Sequence, residues 1–169
     1  CTVIRYDQAA TFDGNAFGGG PLDVANGSLT LTNGADVALT GDLTVATKVQ
    51  QTDDNTIRGE VTLPAGCSVT ARAIVGGNDT GSATTELRAT INQTGATVAT
   101  TGDATEGNGL RLAHYPKAVS VYNMLGGTLT IGGGYDLCVA TEGKGWFNLA
   151  GGEVFTTRVM LNERDGGGG

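Results

Sequence analysis

Apolar and polar positions alternate in short arms along most of the chain. Leu43-Thr44-Val45-Ala46, Ala73-Ile74-Val75-Gly76, Leu110-Arg111-Leu112-Ala113, Leu137-Cys138-Val139-Ala140 and Val159-Met160-Leu161-Asn162 each set two apolar residues about a variable one. In four of the five a small residue follows. A period of two is that of a half-buried strand. Between the arms lie turn formers such as Gly76-Gly77-Asn78-Asp79 and Gly132-Gly133-Gly134. No helical period competes, and Gly and Thr, both poor helix formers, recur along the chain.

A second set of arms carries an internal repeat. Thr90 to Val98, Val121 to Leu129 and Trp146 to Val154 share one pattern: an Asn three residues before a Gly, and a Val or Leu three after it. Leu31 to Val37 and Leu63 to Val69 are weaker copies in which Leu31 and Leu63 stand at the Asn position. The anchor glycines are Gly34, Gly66, Gly95, Gly126 and Gly151, spaced by 32, 29, 31 and 25 residues, and a small residue follows each. One such unit cannot bury its apolar side alone, whereas stacked units bury a continuous core. The pattern therefore predicts an all-β, single-stranded parallel β-helix, a solenoid of about five to six coils. An antiparallel β-sandwich built from hairpins is the alternative. Stacking predicts that Asn92, Asn123 and Asn148 form an inward ladder of side-chain amides. It also predicts that the five anchor glycines turn tight corners.

The runs SVYNMLGGTLTIGGGYDLCVATEGKGWFNLAGGEV and RVMLNERDGGGG resemble the autotransporter-associated β-strand repeats of large bacterial surface and secreted proteins. Positions 118–169 carry the resemblance well, and 28–117 carry it only through the anchor glycines and the Leu-x-Val arms. Residues 1–27 do not match. Ala113, Ala140 and Asn162 stand where that family favours Gly. The resemblance implies a right-handed parallel β-helix and a location outside the cytoplasm, at a bacterial surface. It also implies a structural or adhesive role without assigned enzyme activity. On this reading residues 1–27 are an N-terminal cap or edge segment and 28–169 are the repeats, with an open C-terminal end that fits a piece of a longer array. Exposed strand edges there invite copies of the chain, or adjoining repeats, to meet head-to-tail.

Composition narrows the chemistry. Glycine supplies 29 of 169 residues, more than twice ordinary usage. Lys and Arg total 10 against 17 Asp and Glu, a net charge of −7, which disfavours nucleic acid as a partner. No apolar run is long enough to predict a transmembrane helix. Cys1, Cys67 and Cys138 are odd in number, so at least one is unpaired or pairs with another chain, and their spacing is not that of a zinc site.

The densest group of donors is Arg111, His114, Tyr115 and Lys117. On a β-helix such a group could neutralise a uronate and move a proton, so a polysaccharide-binding or lyase-like protein acting on acidic glycans is the alternative function. Outward side chains before a Pro-terminated loop are the simpler account of the same residues. Asp136, Asp165, Asp53-Asp54-Asn55 and Asn78-Asp79 read as solvated turns; no tandem calcium repeat occurs, and no metal or cofactor is predicted. Trp146, Phe147, Tyr122 and Phe155 read as a stacked apolar column before a sugar platform, with Trp146 the more exposed if one column faces outward.

Overall fold

The computed structural model describes residues 2–4, 8–14, 16–47, 56–78, 85–102 and 108–161. Every described element is a strand. The first six are β1 (Thr2–Ile4), β2 (Gln8–Asp13), β3 (Ala16–Gly19), β4 (Leu22–Val24), β5 (Gly27–Thr32) and β6 (Asp36–Leu39). Then come β7 (Leu43–Thr47), β8 (Thr56–Leu63), β9 (Ser68–Ala71), β10 (Ile74–Asn78), β11 (Glu86–Thr100) and β12 (Asn108–Leu112). The last are β13 (Ala118–Ile131), β14 (Asp136–Val139), β15 (Lys144–Leu149), β16 (Glu153–Phe155) and β17 (Arg158–Leu161).

The chain alternates between two sheets. One strand enters a seven-stranded sheet of order β1-β4-β7-β10-β12-β14-β17, and the next one or two enter a ten-stranded sheet. Each recorded pairing is parallel, for example β10 with β7 and with β12, and β11 with β13. In the order of its strands the seven-stranded sheet is a parallel barrel one pairing short of closure, with β1 and β17 as its edges. The ten-stranded sheet branches: β5 and β6 reach β11 separately through β8 and β9, and β13 then continues to both β15 and β16.

This corrects the expected fold. An all-β, two-sheet architecture, with seven strands in one sheet and ten in the other, replaces a right-handed β-helix of five to six equal coils. The physical reason lies partly at the anchor glycines. Gly34 and Gly66 do turn, with φ of 77° and 81°. Gly95 and Gly126 instead lie inside β11 and β13, where the register between the two strands shifts without ending either strand. The left-handed conformation falls one residue later, at Gly127 and Gly152, with φ of 84° and 89°. A Cβ on Gly127 would sit 2.1 Å from the Ala96 carbonyl oxygen, so this position excludes any side chain through contact as well as backbone strain.

The core fills the space between the sheets. Val37, Val69, Val98, Leu129 and Val154 form one row in register. Val45, Gly76 and Leu112 form another. Val75, which the sequence pattern puts in this row, pairs with Thr44 and Arg111 on the other side of the sheet. A shift of one residue exchanges the faces of a strand, and the Gly76-Gly77 pair conceals that shift in the sequence. Leu31 and Leu63 are corrected likewise. Thr30 and Thr62 continue the outward row of Asn92, while Leu63 pairs with the buried Gln93.

Among the described residues Gln93 is the one amide fully inside this core, and its amide groups are all bonded. Its Nε2 donates to the carbonyls of Ala96 at 2.7 Å and Thr128 at 2.9 Å, and its Oε1 accepts from the Tyr122 hydroxyl at 2.8 Å. Burial raises the Tyr122 pKa, which keeps the phenol a donor. At the other end of the molecule Phe12 and Phe17 stack with ring centroids 4.9 Å apart against the core.

Two predictions follow from these polar contacts. Tyr122→Phe leaves Gln93 Oε1 buried without its donor and should cost about 1–3 kcal/mol in urea unfolding; an unchanged midpoint would show that the bond does not contribute. The Asp13 carboxylate accepts from Thr32 at 2.7 Å and Asn33 at 2.5 Å. These bonds hold its pKa below the ordinary 3.8. A depressed pKa stabilises the fold above the unfolded-state value, and that contribution disappears as pH falls through the folded-state value. Carboxyl NMR titration should place Asp13 below 3.8 and find it raised in Thr32→Val.

Candidate functional site

Among the described residues the exposed large apolar side chains are Leu125, Trp146, Leu149, Phe155, Val159 and Leu161, and five of the six belong to the last three strands. The cause is geometric. A strand inside a sheet has its inward side chains covered by neighbours on both sides, but β15, β16 and β17 each have one neighbour. Their inward residues therefore end the core in a groove of about 390 Å³, floored by Leu137, Val139, Phe147, Leu149, Val154 and Leu161. Leu161 is 75% exposed, while Leu112, further down the same sheet, is fully buried. Trp146 borders the groove at 48% exposure, and Phe155, beside the groove residue Val154 in the chain, is 55% exposed. Tyr122 and Phe147 stack beneath it, ring centroids 5.2 Å apart.

Asn92, Asn123 and Asn148 stand in register across β11, β13 and β15. They lie on the outward face, which corrects the expected inward ladder: Ile91, Gln93, Tyr122 and Met124 alternate with them and are buried. Asn148 Nδ2 donates to Asn123 Oδ1 at 2.8 Å, Asn123 Nδ2 to Asn92 Oδ1 at 2.9 Å, and Asn92 Nδ2 to Glu60 Oε1 at 3.0 Å. Glu60 escapes the sequence pattern because the copy containing it aligns on Gly66 with Leu63, rather than Thr62, at the Asn position. The two-residue alternation of Arg58, Glu60 and Thr62 is the signal that would have found it.

The other sequence candidates do not converge. Arg111 is 4% exposed in the middle of β12, beside Val75 and Cys138. His114 and Tyr115 meet edge to face at 4.8 Å, and Lys117 is exposed beside Pro116, near Lys144 and Glu86. A guanidinium buried in the sheet is closed to a polymeric substrate, so Arg111 and Lys117 do not form one open cluster. Asp136 pairs with Arg158 at 2.5 Å. Among the described residues no group of three or more His, Cys, Asp or Glu is placed to hold a metal ion. Cys67 and Cys138 are buried, whereas Cys1, Asp53, Asp54, Asn55, Asp79, Asn162 and Asp165 lie outside the described residues. No described helix is long and apolar enough to cross a membrane.

No family model, curated protein or solved structure matches the chain. The resemblance to the autotransporter-associated repeats is thereby corrected: no family model carries it, and the two-sheet architecture differs from the repeating coil it implied. The structural or adhesive role, and the alternative of a glycan-acting rod, were drawn from that architecture and fall with it.

The ladder makes a graded prediction. Asn123→Asp sets a carboxylate against Asn92 Oδ1, acceptor against acceptor, whereas Asn123→Leu only removes two hydrogen bonds at a half-buried position. Stability should fall in the order wild type, Leu, Asp, with the Asp variant losing about 1–2 kcal/mol. Equal denaturation midpoints for all three would show that the amides do not couple the strands.

Proposed function

We propose that the chain is a non-catalytic protein-binding module whose working surface is the open end formed by β15, β16 and β17. The observation that carries this reading is the concentration of exposed apolar side chains on those strands. Contiguous apolar surface flanked by polar positions marks an interaction site. Here it coincides with strand edges whose backbone groups are available for pairing, the arrangement used when a sheet accepts an added strand. Covering Leu149, Val159 and Leu161 would each supply about 1–2 kcal/mol from apolar burial.

The partner in this reading is a polypeptide presenting strands in parallel register, as every recorded pairing of the chain is parallel, with apolar residues on one face to match Leu149, Val159 and Leu161. The acidic balance of the chain, −7 overall, favours such a partner over a polyanion.

Trp146 is the single tryptophan and borders the groove, so its fluorescence reports occupation. A peptide copying residues 118–139, with Ala at the Cys138 position, supplies strands of this chemistry. It should shift Trp146 emission to the blue with saturable binding, and Leu149→Asp should weaken that binding at least tenfold. Absence of binding, or equal binding by Leu149→Asp, would overturn the reading.

A further inference from the structure

The amide ladder has a direction, and one residue fixes it. At neutral pH the Glu60 carboxylate can only accept hydrogen bonds. Asn92 must therefore turn its Nδ2 toward Glu60, as observed at 3.0 Å. That leaves Asn92 Oδ1 facing β13, so Asn123 must present Nδ2 to it, and Asn148 must do the same to Asn123. No amide in the row can reverse without setting two acceptors or two donors against each other. The polarity imposed at Glu60 thus arrives unchanged at the open edge, where Asn148 offers its Oδ1 outward beside the groove.

We infer that this ladder is a specificity key for the bound strand: the open edge selects a partner carrying a side-chain amide or other donor in register with Asn148, between apolar residues in register with Phe147 and Leu149. The inference rests on the strand-accepting reading above and deepens it by naming the chemistry of the partner. The chain itself shows the preferred match. Tyr122-Asn123-Met124 is the strand segment seated against Phe147-Asn148-Leu149 on its closed side, with apolar, amide and apolar positions in that order. A partner with Asp at the central position would place a carboxylate against Asn148 Oδ1. A partner with Leu there would leave that oxygen without a donor and hinder its access to water.

The test compares three peptides copying residues 118–139, with Asn, Leu or Asp at the Asn123 position, each binding to the whole chain and read by Trp146 fluorescence. The Asn peptide should bind tightest, with Leu weaker by roughly 2- to 10-fold, the value of one hydrogen bond, and Asp weaker still. Glu60→Lys supplies the decisive control. A donor at the base of the ladder reverses every amide, so Asn148 then presents Nδ2 and the Asp peptide should gain on the Asn peptide. Glu60 lies in β8, three strands below β15 along the row, and does not line the groove, so a merely structural effect would weaken all three peptides alike. Equal affinities of the three peptides for the wild-type chain would overturn the key while leaving strand acceptance intact. Binding of none of them would overturn both. A chain that sediments as a dimer with Trp146 already shielded, and that excess Asn peptide does not dissociate, would assign the groove to a second copy and likewise overturn the proposal.

Discussion

Coverage of each apolar row from both sides is the constraint on which the structure depends. In a parallel ladder a strand's inward side chains touch those of the strand before and the strand after, about 4.8 Å away on either side. Val69 and Val98 have such neighbours and are nearly or fully buried. Leu149, Val159 and Leu161 have only one side covered and remain exposed. The same rule that buries the interior leaves apolar side chains exposed on the last strands. The N-terminal end is treated differently, since Phe12 and Phe17 stack across it.

Hydrogen bonding divides into two roles that share one strand. On the inner face of β11, Gln93 has its amide groups bonded, so it ties β11 to β13 at little net cost. On the outer face Asn92 belongs to a chain of amides that is directional and unfinished. A finished network holds a core in one arrangement; an unfinished one at an edge carries information about what can be added there.

The corners show how little local sequence decides by itself. Ala46, Ala113 and Ala140 adopt φ between 52° and 60°, a region that ordinarily favours Gly. Their place after the inward arms of β7, β12 and β14 forces the chain to turn there. Meanwhile Gly95 and Gly126 do not take the left-handed conformation and lie within β11 and β13, which pair with each other before and after them.

Several levels of the molecule were legible in the residues alone. The alternation of Leu43-Thr44-Val45 or Leu110-Arg111-Leu112 determined short strands, because a period of two has one physical solution. The abundance of Gly and Thr, poor helix formers, together with that period determined an all-β chain. The row from Val37 to Val154 was also readable, since these residues keep a fixed distance from a glycine. Register and face were not. Whether Asn92 points in or out, whether Leu63 or Thr62 continues its row, and whether Val75 or Gly76 stands beside Val45 each turn on a shift of one residue. Only the pairing of distant strands sets that shift. The grouping of strands into sheets of seven and ten, the burial of Arg111, and the meeting of Glu60 with Asn92 across 32 residues were decided by tertiary structure. They depend on which strands become neighbours, a choice made by covering the whole core at once rather than by any local preference.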